Sequence, residues 1–291
     1  MSEPLPGWLR ALYPFEPKRF DTGRGMMSYL DEGRGDEAVV MVHGNPTWSF
    51  FYRNLVLGLR DRMRCIVPDH LGCGLSDKPQ DFDYTLGEHV KNLRALLDSL
   101  KLRKIHLVVH DWGGPIGLGT AFRQPEQLGR VVLLNTAAFA DTVVPWRIRL
   151  CRVPGVGEWL VRGLNGFAGA ATWMAVTKPL SPGVKRGYLY PYDNWANRIA
   201  THRFVVDIPC GQGRANDRAL AEVEQGLVIL RDRPVQIIWG GRDFCFNRHY
   251  FDRWRAILPD ARAEFLPEAG HYLLEDAPAA CLTAVSAHFA R

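Results

Sequence analysis

The chain has 291 residues, enough for one large core carrying an inserted subdomain. Hydrophobic residues make up 47%, charged residues 23%, and the net charge is only +5, with Arg147, Arg149, Arg152 and Arg162 as a local basic group. That balance suits a soluble globular enzyme and excludes the Lys/Arg blocks of a nucleic-acid binder.

The start, Met1-Ser2-Glu3-Pro4-Leu5-Pro6, lacks a basic segment followed by an apolar one, so no secretory signal is expected. Met26–Asp31 reads as part of an N-terminal antiparallel hairpin. Near-continuous apolar runs at Ala38–His43, Cys65–Pro68, Ile105–His110, Val131–Asn135, Val235–Trp239 and Ala263–Leu266 predict strands buried on both faces. Helical patterns separate them at Ser49–Arg60, Leu86–Leu100, Pro115–Arg123 and Arg248–Leu258, and a last helix runs from about Ala277 to Phe289. Such alternation predicts an α/β fold, a mostly parallel central sheet flanked by helices.

The alternation fails from Thr136 to about Cys210. No strand is legible there, while Trp146, Trp159, Trp173 and Trp195 and several Gly and Pro residues accumulate. This stretch reads as a helical cap inserted after the sixth strand, over the sheet edge where open α/β sheets bind ligands. The expected organisation is a core from 1–135, a cap from 136–215 and the rest of the core from 216–291. The longest uncharged stretch, Gly163–Thr177, is shorter than the about 20 apolar residues a bilayer span needs. Six widely spaced cysteines, Cys65, Cys73, Cys151, Cys210, Cys245 and Cys281, form no C-x-x-C pair. They read as reduced thiols of a cytoplasmic protein, with neither a metal nor an organic cofactor implied.

The chemistry gathers at four strand ends. Val108-Val109-His110-Asp111-Trp112-Gly113-Gly114 joins a strand to a helix with the form of a nucleophile elbow, but carries Asp111 where serine is commoner. A lone Asp at that junction is ordinarily an N-cap. Three further elements outweigh that reading. His43-Gly44-Asn45-Pro46 stands where this arrangement places half an oxyanion hole, its other half being the N–H of Trp112. Trp239-Gly240-Gly241-Arg242-Asp243 supplies an acid, and Gly270-His271-Tyr272 a base. The order nucleophile, acid, base is that of the α/β-hydrolase fold. Asp243 is preferred to the position after the sixth strand, because Asn135 there cannot hold charge beside an imidazolium. His110 adjoins Asp111, but strand alternation is expected to turn it away.

A carboxylate is ionised at neutral pH and displaces a leaving group from a saturated carbon without a base to activate it. The side-chain amide of Asn45 and the indole N–H of Trp112 then serve as donors for a departing anion in an apolar pocket.

His43-Gly44-Asn45-Pro46-Thr47-Trp48-Ser49, His110-Asp111-Trp112-Gly113-Gly114 and the Asp243/His271 placement resemble haloalkane dehalogenases. Pro68-Asp69-His70-Leu71-Gly72-Cys73-Gly74-Leu75-Ser76 fits them too. Leu134-Asn135-Thr136-Ala137-Ala138-Phe139, Arg149-Leu150-Cys151-Arg152 and Tyr192-Asp193-Asn194-Trp195-Ala196-Asn197-Arg198-Ile199-Ala200 are more similar to their relatives, the β-lactone decarboxylases of bacterial long-chain olefin biosynthesis. This second resemblance implies a cis-3,4-dialkyl-β-lactone (an oxetan-2-one) as substrate, and a cis-olefin and carbon dioxide as products. It also implies an assembly with the other olefin-biosynthesis enzymes. Asp111, Asp243 and His271 are then catalytic, with Asn45 and Trp112 on the leaving group.

A haloalkane dehalogenase is the main alternative. An epoxide hydrolase would use Tyr188, Tyr190 or Tyr192 as ring-opening phenols, but Asn45 suits a halide or a lactone better. A silent ligand receptor on this fold would not need the full triad. The apolar stretch Leu160–Val176, flanked by Arg162 and Lys178, reads equally as an interfacial helix at a membrane or partner and as the buried face of the cap.

Overall fold

The computed structural model describes residues 4–141, 144–209 and 215–290. Eight strands form one sheet: β1 (Lys18–Asp21), β2 (Met26–Glu32), β3 (Glu37–Val42), β4 (Arg64–Pro68), β5 (Lys104–His110), β6 (Leu128–Leu134), β7 (Val235–Gly240) and β8 (Arg262–Leu266). Their spatial order is β1-β2-β4-β3-β5-β6-β7-β8. β1 and β2 form the expected hairpin, and β2 runs antiparallel to β4. All later pairings are parallel.

Alternation along the buried strands divides the core into two layers. Ala38, Val40 and Val42 of β3, with Leu107 and Val109 of β5, pack under helices Leu86–Ser99 and Gly113–Ala121. Val39, Met41 and Val108 face the other way, onto helices Arg53–Leu59 and Pro278–Phe289. Strands covered on both faces are mostly apolar, with His106, His110 and Gln236 as buried exceptions, which is why the apolar runs located them.

The predicted strand ends shift by one to three residues. β6 starts at Leu128 rather than Val131, and Asn135 lies beyond it. β1 and helix Ala215–Gly226 were not legible, because β1 is mostly exposed and has no apolar alternation. Between β6 and β7 no strand occurs among the described residues. The chain makes short helices instead, chiefly Trp146–Leu150, Gly166–Met174, Pro182–Leu189 and Ile199–Val206. The expected cap end at 215 adjoins residues outside the described ones. No described helix is long and apolar enough to cross a membrane. Cys65, Cys73, Cys151, Cys245 and Cys281 are free thiols, and Cys210 lies outside the described residues.

Candidate active site

Parallel strands β3, β5, β6, β7 and β8 end on one edge, and each sends a polar residue into the same region. Asp111 follows β5 in a left-handed conformation, φ 53°. The turn closes only because small residues surround it. A Cβ on Gly113 would lie 1.9 Å from the Val42 carbonyl oxygen, and one on Gly114 1.9 Å from Thr136 Oγ1. A Cβ on Gly44 would come within 2.0 Å of Asp111 Oδ1. Thr136 Oγ1 donates to the Asp111 carbonyl at 2.5 Å, and the Asp111 N–H donates to the Asn135 carbonyl at 3.1 Å, so the strained elbow is held from β6.

The two carboxylate oxygens of Asp111 have different surroundings. Oδ1 accepts the Asn45 backbone N–H at 2.7 Å, and the Trp112 backbone N–H also bonds this carboxylate. Oδ2 lies 3.7 Å from His271 Nε2. Burial raises the Asp111 carboxyl above the ordinary value, against the pull of His271 and the two N–H donors.

His271 follows β8, and its Nδ1–H donates to Asp243 Oδ2 at 2.7 Å. Burial alone would lower the imidazole, but the Asp243 carboxylate at one nitrogen, assisted by Asp111, holds it above the usual histidine range. Asp243 is buried yet fully partnered. Its Oδ1 accepts the N–H groups of Cys245 at 2.7 Å and Phe246 at 3.0 Å, and its Oδ2 also accepts Asn135 Nδ2 at 2.9 Å. The helix that follows, Arg248–Ile257, is capped by Asn247, whose side chain accepts the His249 N–H at 3.0 Å.

Asn135, set aside in the sequence as an acid, positions the acid that is present. Its Oδ1 accepts the Gly240 N–H at 2.7 Å and its Nδ2 donates to the Gly240 carbonyl at 3.0 Å, which ties β6 to the β7 end that carries Asp243. Asn135→Ala leaves three buried polar groups short of a partner. It is expected to lower the unfolding free energy by about 1–3 kcal/mol in a denaturant titration.

His43 explains its own motif. Its Nδ1–H donates to the Gly44 carbonyl at 2.7 Å and its Nε2 accepts the His70 N–H at 3.2 Å, so one imidazole sets the loop that aims the Asn45 N–H. His110 is turned off the cavity that Asp111 faces, as alternation predicts. It is buried, its Nε2–H donates to the His271 backbone carbonyl at 2.9 Å, and its ring centroid lies 4.4 Å from that of His271. It thereby braces the His271 backbone, a contact alternation does not foretell.

Above Asp111 lies a cavity of about 390 Å³, within the usual range for small-molecule sites. Asn45, Asp111, Trp112 and His271 line its floor. Its walls are almost wholly apolar and come largely from the segment between β6 and β7, including Phe139, Ile148, Phe167 and Met174. Those wall residues have no spacing signature, so the sequence located the region but not its members. The Asn45 side chain is less free than expected: Nδ2 donates to the Thr201 carbonyl at 3.1 Å, and Oδ1 is buried without a partner among the described residues. Trp112 borders the cavity with its ring 5.3 Å from that of Phe204. The tyrosines suggested as phenols are engaged elsewhere. Tyr188 donates to Glu275 at 2.6 Å, Tyr192 to the Thr47 carbonyl at 3.3 Å, and Tyr190 packs on Trp8; none lines the cavity.

Comparison with known proteins agrees with this geometry. The family described as alpha/beta hydrolase fold matches residues 37–278. A cis-3-alkyl-4-alkyloxetan-2-one decarboxylase of Shewanella oneidensis is 46% identical over 97% of this chain and 90% of its own length. Haloalkane dehalogenase 2 of Mycobacterium tuberculosis is 35% identical over 96% of each chain. Among solved structures, a haloalkane dehalogenase from Bradyrhizobium elkani superposes with a TM-score of 0.86 at 26% identity, covering 95% of this chain and 98% of that one.

Proposed function

Since the chain belongs to the alpha/beta hydrolase fold family, in the branch shared by oxetan-2-one decarboxylases and haloalkane dehalogenases, we propose that it decarboxylates cis-3,4-dialkyl-β-lactones to cis-olefins. The observation that carries the reading is the split environment of Asp111 beneath an apolar cavity. Oδ1 is held by the Asn45 backbone N–H, which leaves Oδ2 as the attacking oxygen. Greater identity to the decarboxylases than to the dehalogenases decides for the lactone.

Asp111 Oδ2 attacks the ring carbon that bears the alkoxy oxygen, with inversion, and the ring C–O bond breaks to release a carboxylate. That carboxylate then leaves as carbon dioxide. Its C–C bonding pair becomes the new π bond, and the Asp111 ester C–O bond breaks anti to it. Asp111 recovers its own two oxygens, and both lactone oxygens depart in the carbon dioxide. Inversion followed by anti elimination is a net syn loss, so a cis ring gives a cis alkene.

Asn45 and Trp112 line the floor where the freed carboxylate forms, and the backbone N–H pair stabilises the Asp111 carboxylate as it is expelled. The rival route, attack on the lactone carbonyl, needs that N–H pair for the lactone oxygen. The pair is already engaged by Asp111 itself. We assign 136–215 as the cap that excludes water from the ester. The cytoplasm is the assigned location, alongside enzymes that make the lactone.

No proton is taken up or released in this scheme, which fixes the pH dependence. Asp111 must be ionised, so olefin formation falls as pH drops through the raised Asp111 value. Protonation of His271 at higher pH adds no second loss. A hydrolytic reaction, which needs neutral His271, would instead fall through the raised histidine value. A pH–rate profile on a cis-β-lactone distinguishes the two. The substrate assignment itself is tested by giving the enzyme a long-chain cis-β-lactone and a bromoalkane in parallel. Olefin from the lactone supports it; rapid bromide release with no olefin would make the chain a dehalogenase.

A further inference from the structure

Ten large apolar side chains are markedly exposed among the described residues, and eight of them fall between Trp146 and Trp195. Trp146, Trp159 and Trp173 are each more than half exposed. Charge is concentrated in the same stretch. Residues 144–209 hold nine Lys or Arg against three Asp or Glu, a surplus of six in a chain whose whole net charge is +5. Arg147 and Arg149 are exposed and make no ion pair among the described residues, and the Arg147 guanidinium lies 5.0 Å from the centre of the Trp146 ring.

This surface is continuous with the cavity. Arg147 and Leu150 are at once exposed and part of the cavity lining, so they form its rim. Helix Gly166–Met174 does both jobs in one element: Phe167, Ala170 and Met174 line the cavity, while Trp173 points outward. Of the two readings of the Leu160–Val176 stretch, the buried face is the one that lines the cavity, and the opposite face is exposed.

We propose that the outer face of this segment docks on an anionic lipid surface, with the cavity mouth against the bilayer. Tryptophan prefers the headgroup level, where its apolar ring is buried and its N–H stays wet. Arginines beside it are attracted to anionic headgroups. The exposed Arg147 and Arg149 beside Trp146 at the rim call for an anionic counter-surface, which a membrane supplies without shape complementarity. Docking is peripheral, since no described helix can span a bilayer. The lipophilic substrate proposed above gives this face its purpose, because lactone enters from the bilayer and olefin returns to it. The exposed tryptophans and arginines would bind such a surface whatever the enzyme turns over.

Vesicle flotation of the full chain tests it without any turnover. The wild type is expected to float with phosphatidylglycerol/phosphatidylethanolamine vesicles, less with phosphatidylcholine alone, and less as salt is raised. The triple variant Trp146→Ser/Trp159→Ser/Trp173→Ser is expected to bind about tenfold more weakly or worse, yet to turn over a detergent-dispersed lactone as the wild type does. Arg149→Gln, a surface change that cannot endanger folding, lowers binding roughly fivefold. Failure of the wild type to float with anionic vesicles would overturn the proposal. So would undiminished flotation of both variants, or dissociation of a lipid-free oligomer by the triple variant, which would make the face a contact between copies of this chain. Loss of olefin formation with normal flotation would fault the chemistry instead.

Discussion

Asp111→Asn abolishes olefin formation, with turnover expected to fall by roughly 10⁴–10⁶, the scale seen when a covalent nucleophile is removed. An amide oxygen does not displace a carboxylate from a saturated carbon, and neither Asn45, Trp112 nor His271 at the cavity floor substitutes for it. Asn45 and Trp112 are neutral donors, and His271 Nε2 stands 3.7 Å from Oδ2. Stability should move the other way. Asp111 is a buried carboxylate near a second one, Asp243, with one imidazole between them, and burial already raises its carboxyl. The amide removes that desolvation cost while keeping the Asn45 N–H bond to Oδ1. An inactive variant with an unchanged or higher Tm is thus the expected pair of results. An active Asp111→Asn enzyme would move the nucleophile elsewhere.

His271→Gln is the second large test, because it divides the two reactions this site can run. In a hydrolytic cycle the histidine activates water against the Asp111 ester, and its loss costs about 10²–10⁴ while the ester accumulates. In the decarboxylation the ester is expelled by the C–C pair and no water is activated. The variant is therefore expected to keep a measurable rate of olefin formation, with a loss below that range. Mass spectrometry of the intact protein should find no alkyl group retained on Asp111. Total inactivity with trapped ester would put water and His271 in the path. Some loss is expected in either case, since removing the imidazole leaves two buried carboxylates without the ring that lies between them.

The parts of this site that the sequence made legible are those where backbone geometry demands particular residues. An elbow with φ near 53° and approaches of 1.9 Å forces glycine at 113 and 114, so Asp111 announced itself. Strands buried on both faces had to be apolar runs, so their C-terminal ends, and the residues at them, could be counted off. Other features had no such mark. Asn135 was correctly read as unable to be the acid, yet its hold on Asp243 depends on β6 lying beside β7, which no local pattern states. His110 was placed by alternation alone, whereas its partner is a backbone carbonyl 161 residues away. The cavity walls were opaque for a related reason: Phe139, Phe167 and Met174 need only be apolar and near, and many residues meet that description.

The fate of water's oxygen tests the central claim most directly. The enzyme is run for many turnovers on a cis-β-lactone in heavy-oxygen water, and the peptide containing Asp111 is then weighed. Expulsion of Asp111 at the alkyl C–O bond leaves its own oxygens in place, so the account predicts abundant olefin and a peptide with no heavy oxygen. Heavy oxygen in Asp111 would mean that water attacks its ester, and would contradict the proposed decarboxylation.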